Sequence, residues 1–180
     1  ERGKSSYSSG GRALLARKGN TFNVLQFDGH LIARLRVRRS DRGIEVVDGR
    51  RQLLDAAAAA DLRDALRSFA KADGLAAEPL YTVLPRHDMT VRILTLPSQE
   101  LGELEGMVRV NAEEYVPYAA EDVVIDLCVL ERLDDGQSRV LAVFAHRDVV
   151  EAHVAILREA GLEPERVFVS TTCLASAALA

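Results

Sequence analysis

Tryptophan is absent from the sequence and cysteine is scarce, with Cys128 and Cys173 as the two examples among 180 residues. They are far apart and belong to no CxxC or cysteine–histidine pair, so their spacing predicts no metal site. Each lies in an apolar stretch. We therefore expect both to be buried as small hydrophobic side chains in a reducing cytoplasm.

Long hydrophobic runs are absent as well. No run approaches the ~20 apolar residues that a bilayer-spanning helix requires, and the N-terminus shows no signal-peptide pattern. The chain begins at Glu1 without methionine and stops at Ala180, inside the helix-like segment LASAALA. We therefore expect a fragment of a longer protein.

The sequence also lacks an excess of positive charge, since 27 acidic and 23 basic residues give a formal net charge of -4. This balance disfavours a nucleic-acid-binding protein, which usually has a basic stripe and a high isoelectric point. Arginine is nevertheless dense between residues 34 and 42. Two interpretations stay open for this cluster: a solvated face of an antiparallel strand pair, or a surface near an anionic membrane, where each basic residue contributes roughly 1 kcal/mol.

The periodicity of the apolar residues predicts a mixed α/β fold. Residues 1–20 are rich in serine, glycine and basic residues, which predicts a flexible N-terminal arm. From Thr21 onward the pattern predicts three strands, a helix over about residues 55–72 that Gly74 ends, and a further strand. This β-β-β-α-β order is typical of a mixed sheet with a helix on one face.

The second predicted strand alternates between two sets of side chains over residues 31–37. We expect the apolar set to face the core and the more polar set to face solvent. The apolar set is Leu31, Ala33, Leu35 and Val37. The other set, which is polar apart from its isoleucine, is Ile32, Arg34 and Arg36. Asp28 and Gly29, which precede the strand, are typical of a tight hairpin turn.

The best-patterned stretch runs from Val91 to Leu130. Pro97 ends a strand, Ser98 is placed to cap the helix that follows, and Pro117 stops that helix before the next strand. A further strand and a helix complete a β-α-β-β-α module that extends from Met89 to about Leu162.

The polar residues form no recognisable active site. The four histidines have no metal-ligand spacing, and we expect them at the surface or in an interface. A group of carboxylates around Pro117 has no partner base, which favours a solvated acidic rim over acid–base chemistry. This group consists of Glu113, Glu114, Glu121, Asp122 and Asp126. Ser170, Thr171 and Thr172 are better explained as a helix N-cap cluster than as nucleophiles, so we expect no enzyme activity within these residues.

Four short motifs follow one another along the chain. They are Arg92–Pro97 (R-x-x-x-L-P), Glu113–Tyr118 (E-x-x-x-P-Y), Glu121–Asp126 (E-D-V-x-x-D) and Ala160–Pro164 (A-G-L-x-P). In this order they resemble the type IV pilus assembly protein PilM family and, more loosely, the cell-division protein FtsA. The resemblance covers most of the chain from about Thr21 to Ala180.

The resemblance implies an α/β fold with mixed sheets, namely the first half of an actin-like protein with a small inserted β-α-β-β-α subdomain. It places the first actin-like subdomain at residues 21–87 and the inserted subdomain at residues 88–163. Residues 164–180 then return to the first subdomain. In that family, nucleotide lies between this half and a second half.

The resemblance also implies a function as a cytoplasmic adaptor of a pilus or related secretion platform, peripheral to the inner membrane. It implies binding to the N-terminal tail of a PilN-like bitopic membrane protein and contacts with other pilus platform or motor proteins, and it leaves self-association open. We expect the rim around Arg92, Tyr115 and Tyr118 to bind the tail. Two alternatives stay open: an actin-like ATPase that drives pilus assembly, and a type II secretion component similar to GspL.

The first predicted hairpin departs from the family pattern. The family motif reads G-I-D-I-G-S-S-S-V-K. Aligning Gly29 with its second glycine and Arg34 with its lysine places Phe27 where the family has aspartate, and Asp28 falls one position late. We expect Asp28, Gly29 and Arg34 to form a vestigial nucleotide hairpin. We therefore expect no cofactor in this fragment, and ATP with magnesium to bind only in the full-length protein.

Overall fold

The computed structural model describes residues 21–41 and 43–169. The strands are β1 (Thr21–Phe27), β2 (Leu31–Ser40), β3 (Gly43–Leu53), β4 (Leu80–Leu84), β5 (Met89–Leu96), β6 (Val123–Arg132), β7 (Ser138–His146) and β8 (Pro164–Val169). The helices are α1 (Ala56–Ala60), α2 (Leu62–Asp73), α3 (Leu101–Val110), α4 (Ala112–Tyr115) and α5 (Arg147–Glu159). Short 3₁₀ turns cover Leu75–Ala77, Arg86–Asp88 and Ala120–Asp122.

The described chain forms two compact units. The larger unit consists of residues 21–88 and 148–169, and the small unit consists of residues 89–147. The predicted arm (residues 1–20) and the helix and N-cap cluster expected in residues 170–180 lie outside the described residues.

The larger unit contains a five-stranded sheet in the order β3-β2-β1-β4-β8. β1, β2 and β3 pair antiparallel, whereas β4 pairs parallel with both β1 and β8. All five residues of β4, LYTVL, are buried, as is typical of a parallel strand in the interior of a sheet. The predicted β-β-β-α-β order is confirmed.

The core of the larger unit lies between this sheet and the helices α2 and α5. Its side chains form one buried cluster that includes Leu25, Ile32, Leu66, Phe69 and Leu157. Burial of each such side chain contributes roughly 1.5–3 kcal/mol. α2 ends as predicted, because Gly74 adopts the left-handed conformation (φ 63°) that favours glycine after a helix.

Two helices predicted as continuous are each interrupted by a short polar residue. The first is divided at Asp61, whose carboxylate accepts a hydrogen bond from Asp64 N (3.1 Å) and caps α2. The second, expected to reach Tyr115 unbroken, is divided at Asn111, whose amide donates to the Met107 carbonyl (3.0 Å). In both places the side chain bonds to the backbone and competes with the regular helical pattern.

The inward face of β2 is largely the opposite of the one expected from apolar content. Ile32 is fully buried and Arg34 is 9% exposed, whereas Leu35 is 46% exposed. α2 covers the Arg34 face, and the guanidinium bonds to Asp73 at the end of that helix (Nε–Oδ2 3.0 Å). The prediction for this strand was therefore wrong except at Val37, which is buried on the same face as Leu35 and pairs with Phe22 of β1.

The small unit contains a three-stranded antiparallel sheet in the order β5-β7-β6. Leu104 and Val108 of α3 are fully buried in one cluster with Val140 and Phe144 of β7. α3 therefore covers one face of this sheet. The β-α-β-β-α order predicted for the chain from Met89 onward is confirmed.

Ser98 stabilises the start of α3 but is not its N-cap residue, contrary to the prediction. The cap position belongs to Glu100. The Ser98 hydroxyl accepts a hydrogen bond from Glu100 N (3.1 Å) and donates to Glu103 Oε2 (2.5 Å). The serine thus satisfies a backbone donor immediately ahead of the helix, where such donors have no intrahelical partner.

α5 belongs to the larger unit. Its Leu157 and the following Leu162 are buried with Leu66 and Phe69 of α2. The chain therefore divides after residue 147, whereas the sequence placed the end of the inserted subdomain at residue 163. The difference arises because amphipathic periodicity identifies the apolar face of a helix but not the sheet on which that face packs.

His153 of α5, expected at a surface or interface, is buried. It is 7% exposed, its ring stacks on Phe27 (centroids 4.3 Å apart), and its Nε2 lies 2.7 Å from Thr82 Oγ1. The Thr82 hydroxyl donates its single proton to the Leu25 carbonyl (3.2 Å), which assigns a proton to His153 Nε2. Burial lowers the pKa of His153 to about 4.

His153 makes the free energy of unfolding depend on pH. The pKa is about 4 in the folded chain and 6.5 for the unperturbed side chain, so the unfolded state binds more protons between these values. The free energy of unfolding therefore falls as the pH drops from about 6.5 towards 4. Because one pKa unit corresponds to 1.36 kcal/mol, urea unfolding at several pH values should show a loss of about 3 kcal/mol over this window.

The substitution His153→Leu should remove that pH dependence, because no ring remains to be protonated and Thr82 keeps the Leu25 carbonyl as its partner. The matched change His87→Leu, at a histidine whose side chain is 74% exposed, should leave the dependence in place. An unchanged pH profile in His153→Leu would contradict the burial of a neutral ring.

Candidate partner-binding site

The two tyrosines expected to bind a partner contact alternate residues of β7 in the small unit. Tyr115 lies against Phe144 with ring centroids 5.4 Å apart, and Tyr118 meets His146 edge-on at 4.8 Å. Alternate residues of a strand point to the same face. Both tyrosines therefore lie on the face of the sheet that α3 covers.

Arg92 of β5 lies on the same face of that sheet. It is paired with Ala142 of β7, two residues before Phe144. Arg92, Tyr115 and Tyr118 therefore lie beside three alternate residues of β7, which extend about 14 Å along that strand at about 6.8 Å for every two residues. We call Arg92, Tyr115 and Tyr118 the β7 row. The structure thus places all three residues predicted to bind a partner along one strand.

Pro117 gives the two tyrosines different environments. A residue before proline is restricted to an extended conformation, and Val116 accordingly has φ −141° and ψ 149° and ends α4 at Tyr115. Val116 is buried in the core of the small unit. Tyr115 stays half-buried beside it, whereas Tyr118 emerges beyond the proline and is 41% exposed.

The loop that carries Tyr118 is held by two side chains. Glu113 Oε1 accepts a hydrogen bond from Ala120 N (3.3 Å), and the Arg147 guanidinium donates two hydrogen bonds to the Glu121 carbonyl (2.9 and 3.1 Å). Ordering of this loop before binding reduces the entropy that a partner must overcome. The sequence analysis did not include Arg147 in the binding site. Its position directly after β7 was the signal that could have identified it.

The β7 row is suited to binding rather than to chemistry. Exposed tyrosine and arginine side chains are the types that dominate the energetics of protein interfaces. The row contains no paired carboxylates, and the acidic rim predicted around Pro117 uses Glu113 to hold the loop. Among the described residues no group of three or more metal-ligating side chains is present.

In the predicted nucleotide hairpin, the aspartate side chain bonds to the backbone of the turn itself. The Asp28 carboxylate accepts hydrogen bonds from His30 N (2.7 Å) and Leu31 N (2.9 Å). A phosphate bound in such a turn relies on backbone N–H groups of this kind, and here they already face a negative charge. Gly29, between them, is exposed.

Arg34 is not brought to that turn. Its guanidinium lies between Asp48 of β3 and Asp73 of α2, and Arg50 bonds to the same Asp73. The Asp73 side chain is 5% exposed, so two arginines neutralise a nearly buried carboxylate. We call these four residues the arginine–aspartate cluster. Through it Arg34 joins β2 to β3 and to α2.

Two further arginines of the dense region are paired as well. Arg36 binds Glu78, and Arg38 lies 3.8 Å from Glu45. The hydrogen bond from Arg36 lowers the pKa of Glu78. These carboxylate partners favour the interpretation of the cluster as a strand face over its interpretation as a membrane surface.

Cys128 was expected to be buried but is exposed. Its neighbours Leu127 and Val129 point into the core beneath α3, so Cys128 lies on the opposite face of the sheet. Cys173, which was also expected to be buried, lies outside the described residues.

The mixed α/β fold with two sheets is of the actin-like type, as predicted. Residues 42–179 match the sequence profile described as type IV pilus assembly protein PilM. The chain belongs to this family. No described helix is long and apolar enough to cross a membrane.

Two solved structures resemble the chain. A chain of the PilM–PilN type IV pilus biogenesis complex is 21% identical with a TM-score of 0.68, and the match covers 83% of this chain and 47% of that one. The cytoplasmic domain of EpsL, an inner membrane component of the type II secretion system of Vibrio cholerae, is 20% identical with a TM-score of 0.55, covering 83% and 57%. This chain thus spans about half the length of these structures. No curated protein matches it.

The substitution Arg34→Met should lower the free energy of unfolding by about 2 kcal/mol, because it leaves the carboxylates of Asp48 and Asp73 with less compensation. Arg38→Met on the same strand breaks a pair in which both side chains are at least half exposed and should cost less than about 1 kcal/mol. Urea unfolding of both variants measures the difference. Equal losses would show that the arginine–aspartate cluster does not stabilise the larger unit.

Proposed function

We propose that this chain is part of a cytoplasmic scaffold of a type IV pilus assembly platform, peripheral to the inner membrane, and that it binds the N-terminal tail of a PilN-like bitopic membrane protein. Family membership supports the role in pilus assembly. The proposed binding site rests on the β7 row, in which the exposed Tyr118 directly follows Pro117 in an ordered loop.

The proposed contact combines an aromatic surface with a positive charge. Tyr118 supplies the exposed ring, and Arg92 supplies an exposed guanidinium on the same face. Tyr115 is half-buried, and its ring packs against Phe144 of β7. A short tail with an apolar side chain and a carboxylate or backbone carbonyl fits these groups, because tyrosine and arginine offer both apolar area and hydrogen-bond donors.

The proposal on nucleotide binding rests on the hairpin between β1 and β2. The N–H groups of His30 and Leu31 are bonded to Asp28, and Arg34 is bonded within the arginine–aspartate cluster. We therefore propose that these residues serve a structural purpose here. On this proposal, it is the full-length protein that binds ATP with magnesium and contacts other platform or motor proteins.

A type II secretion platform is the second candidate, favoured by the match to the EpsL cytoplasmic domain. The two candidates differ in the tail that the chain binds. Calorimetric titration with synthetic tails of bitopic proteins encoded near the gene distinguishes them. Binding of a pilus-type tail supports the first candidate, and failure to bind any such tail contradicts both.

The substitution Tyr118→Ala should weaken binding of the tail peptide at least about tenfold, or ~1.4 kcal/mol. It should change the free energy of unfolding by less than about 0.5 kcal/mol, because the ring is exposed. Tyr115→Ala is the matched control and should lower the free energy of unfolding by about 2 kcal/mol, because its ring contacts Phe144. Calorimetry and urea unfolding report the two quantities. If Tyr118→Ala reduces both by similar free energies, the loop has a purely structural role.

A further inference from the structure

The β3 strand forms a free edge of the five-stranded sheet. Within the described residues it pairs only with β2, and its outer side has no partner strand. It is 11 residues long, and nine of them are exposed. Free edges present unpaired N–H and C=O groups, and proteins usually protect them with short strands, proline, charged side chains or bulges. β3 is long and contains no proline, but its charged side chains and the irregularity at Val47 protect it in part.

Exposed apolar side chains concentrate beside this edge. Nine large hydrophobic side chains are exposed among the described residues, and four of them lie on β2 and β3. They are Leu35 (46%), Ile44 (66%), Val46 (57%) and Leu53 (79%). Single exposed apolar residues need no explanation, but several side by side indicate an interaction surface.

The register of the β2–β3 pair places these side chains on one face. Val46 is opposite Val37, Gly49 is opposite Leu35, and Leu53 is opposite Leu31. A Cβ added at Gly49 would approach Leu35 Cδ2 to 3.0 Å. Because glycine leaves this space open, Leu35 extends across β3 towards the free edge.

The charge of this surface is unbalanced. The carboxylates on β3 already have arginine partners, since Asp48 pairs with Arg34 and Glu45 lies 3.8 Å from Arg38. Arg51 is exposed on the same face as Leu53, and among the described residues no carboxylate lies within ion-pair distance of it. The surface formed by Leu35, Ile44, Val46, Arg51 and Leu53, which we call the β3 edge surface, therefore combines apolar area with an unmatched positive charge.

We propose that the β3 edge surface binds an extended polypeptide segment of a partner protein, which adds to the sheet as a sixth strand beside β3. Backbone hydrogen bonds to the free edge supply affinity, and alternate side chains supply selectivity. The segment has apolar residues that cover Leu35, Val46 and Leu53, and a carboxylate that pairs with Arg51. This surface belongs to the larger unit, whereas the β7 row belongs to the small unit.

A second copy of this chain fits the edge less well. Antiparallel self-pairing centred on Arg50 and Arg51 would place arginines opposite one another, and pairing centred on Glu45 would do the same with glutamates. Like charges in directly opposite positions destabilise a strand pair. A register centred between these positions crosses Val47, which has no partner on β2 and interrupts the regular alternation.

The test uses two labelled peptides and the purified chain. In one peptide, valine and glutamate take turns at every second position with threonine between them, so that both types share one face of the added strand. In the other peptide, lysine replaces each glutamate. Fluorescence anisotropy should show that the acidic peptide binds at least about tenfold more tightly than the basic one. Arg51→Glu should reverse this order, whereas the matched change Arg109→Glu, at an exposed arginine of α3, should leave it unchanged.

Two further measurements keep this proposal separate from tail binding at the β7 row. Tyr118→Ala should leave the affinity for the acidic peptide unchanged, and amide hydrogen exchange should show protection of β3 when that peptide is bound. Equal affinity for both peptides, no binding at about 1 mM, or an unaltered preference in Arg51→Glu would overturn the proposal. Dimers of the free chain that Val46→Lys disperses would overturn it as well, since a second copy would then occupy the edge.

Discussion

The parallel pairing of β4 with both β1 and β8 determines how the chain is connected. β4 is buried at every residue and runs parallel to both neighbours. Parallel neighbours cannot be joined by a tight turn, so the chain between β4 and β8 contains a long connection. It forms the whole small unit and then returns through α5, whose Leu157 packs with Leu66 of α2. The β7 row is thus carried by an insertion between two adjacent strands.

The order and type of the elements could be predicted from the sequence because these depend on local patterns. Pro97, Gly74 and Pro117 stop elements wherever they occur, and apolar periodicity separates strands from helices. The inward face of β2 could not be predicted in this way. It depends on Asp48 and Asp73, which lie 14 and 39 residues from Arg34. Tertiary pairing of this kind overrides the preference of an isolated strand.

The candidate site was predictable in part for the same reason. The sequence motif around Pro117 pointed to Tyr115 and Tyr118, and the proline explains why one tyrosine is half-buried and the other exposed. The supporting contacts of Arg147 and His146 with this loop depend on where β7 ends in the folded sheet. His153 shows a similar limit, since an isolated polar residue on an amphipathic helix gives no sign that Thr82 lies opposite it.

The proposed binding of a partner tail to the small unit through the β7 row is open to direct measurement. Amide hydrogen exchange of the purified chain, with and without a synthetic N-terminal tail of a PilN-like protein, tests it most directly. We expect the tail to slow exchange in the loop around Tyr118 and in the strands that carry the row, while β1 to β3 of the larger unit remain unchanged. Slower exchange confined to the larger unit, or no change with the tail bound, would contradict it.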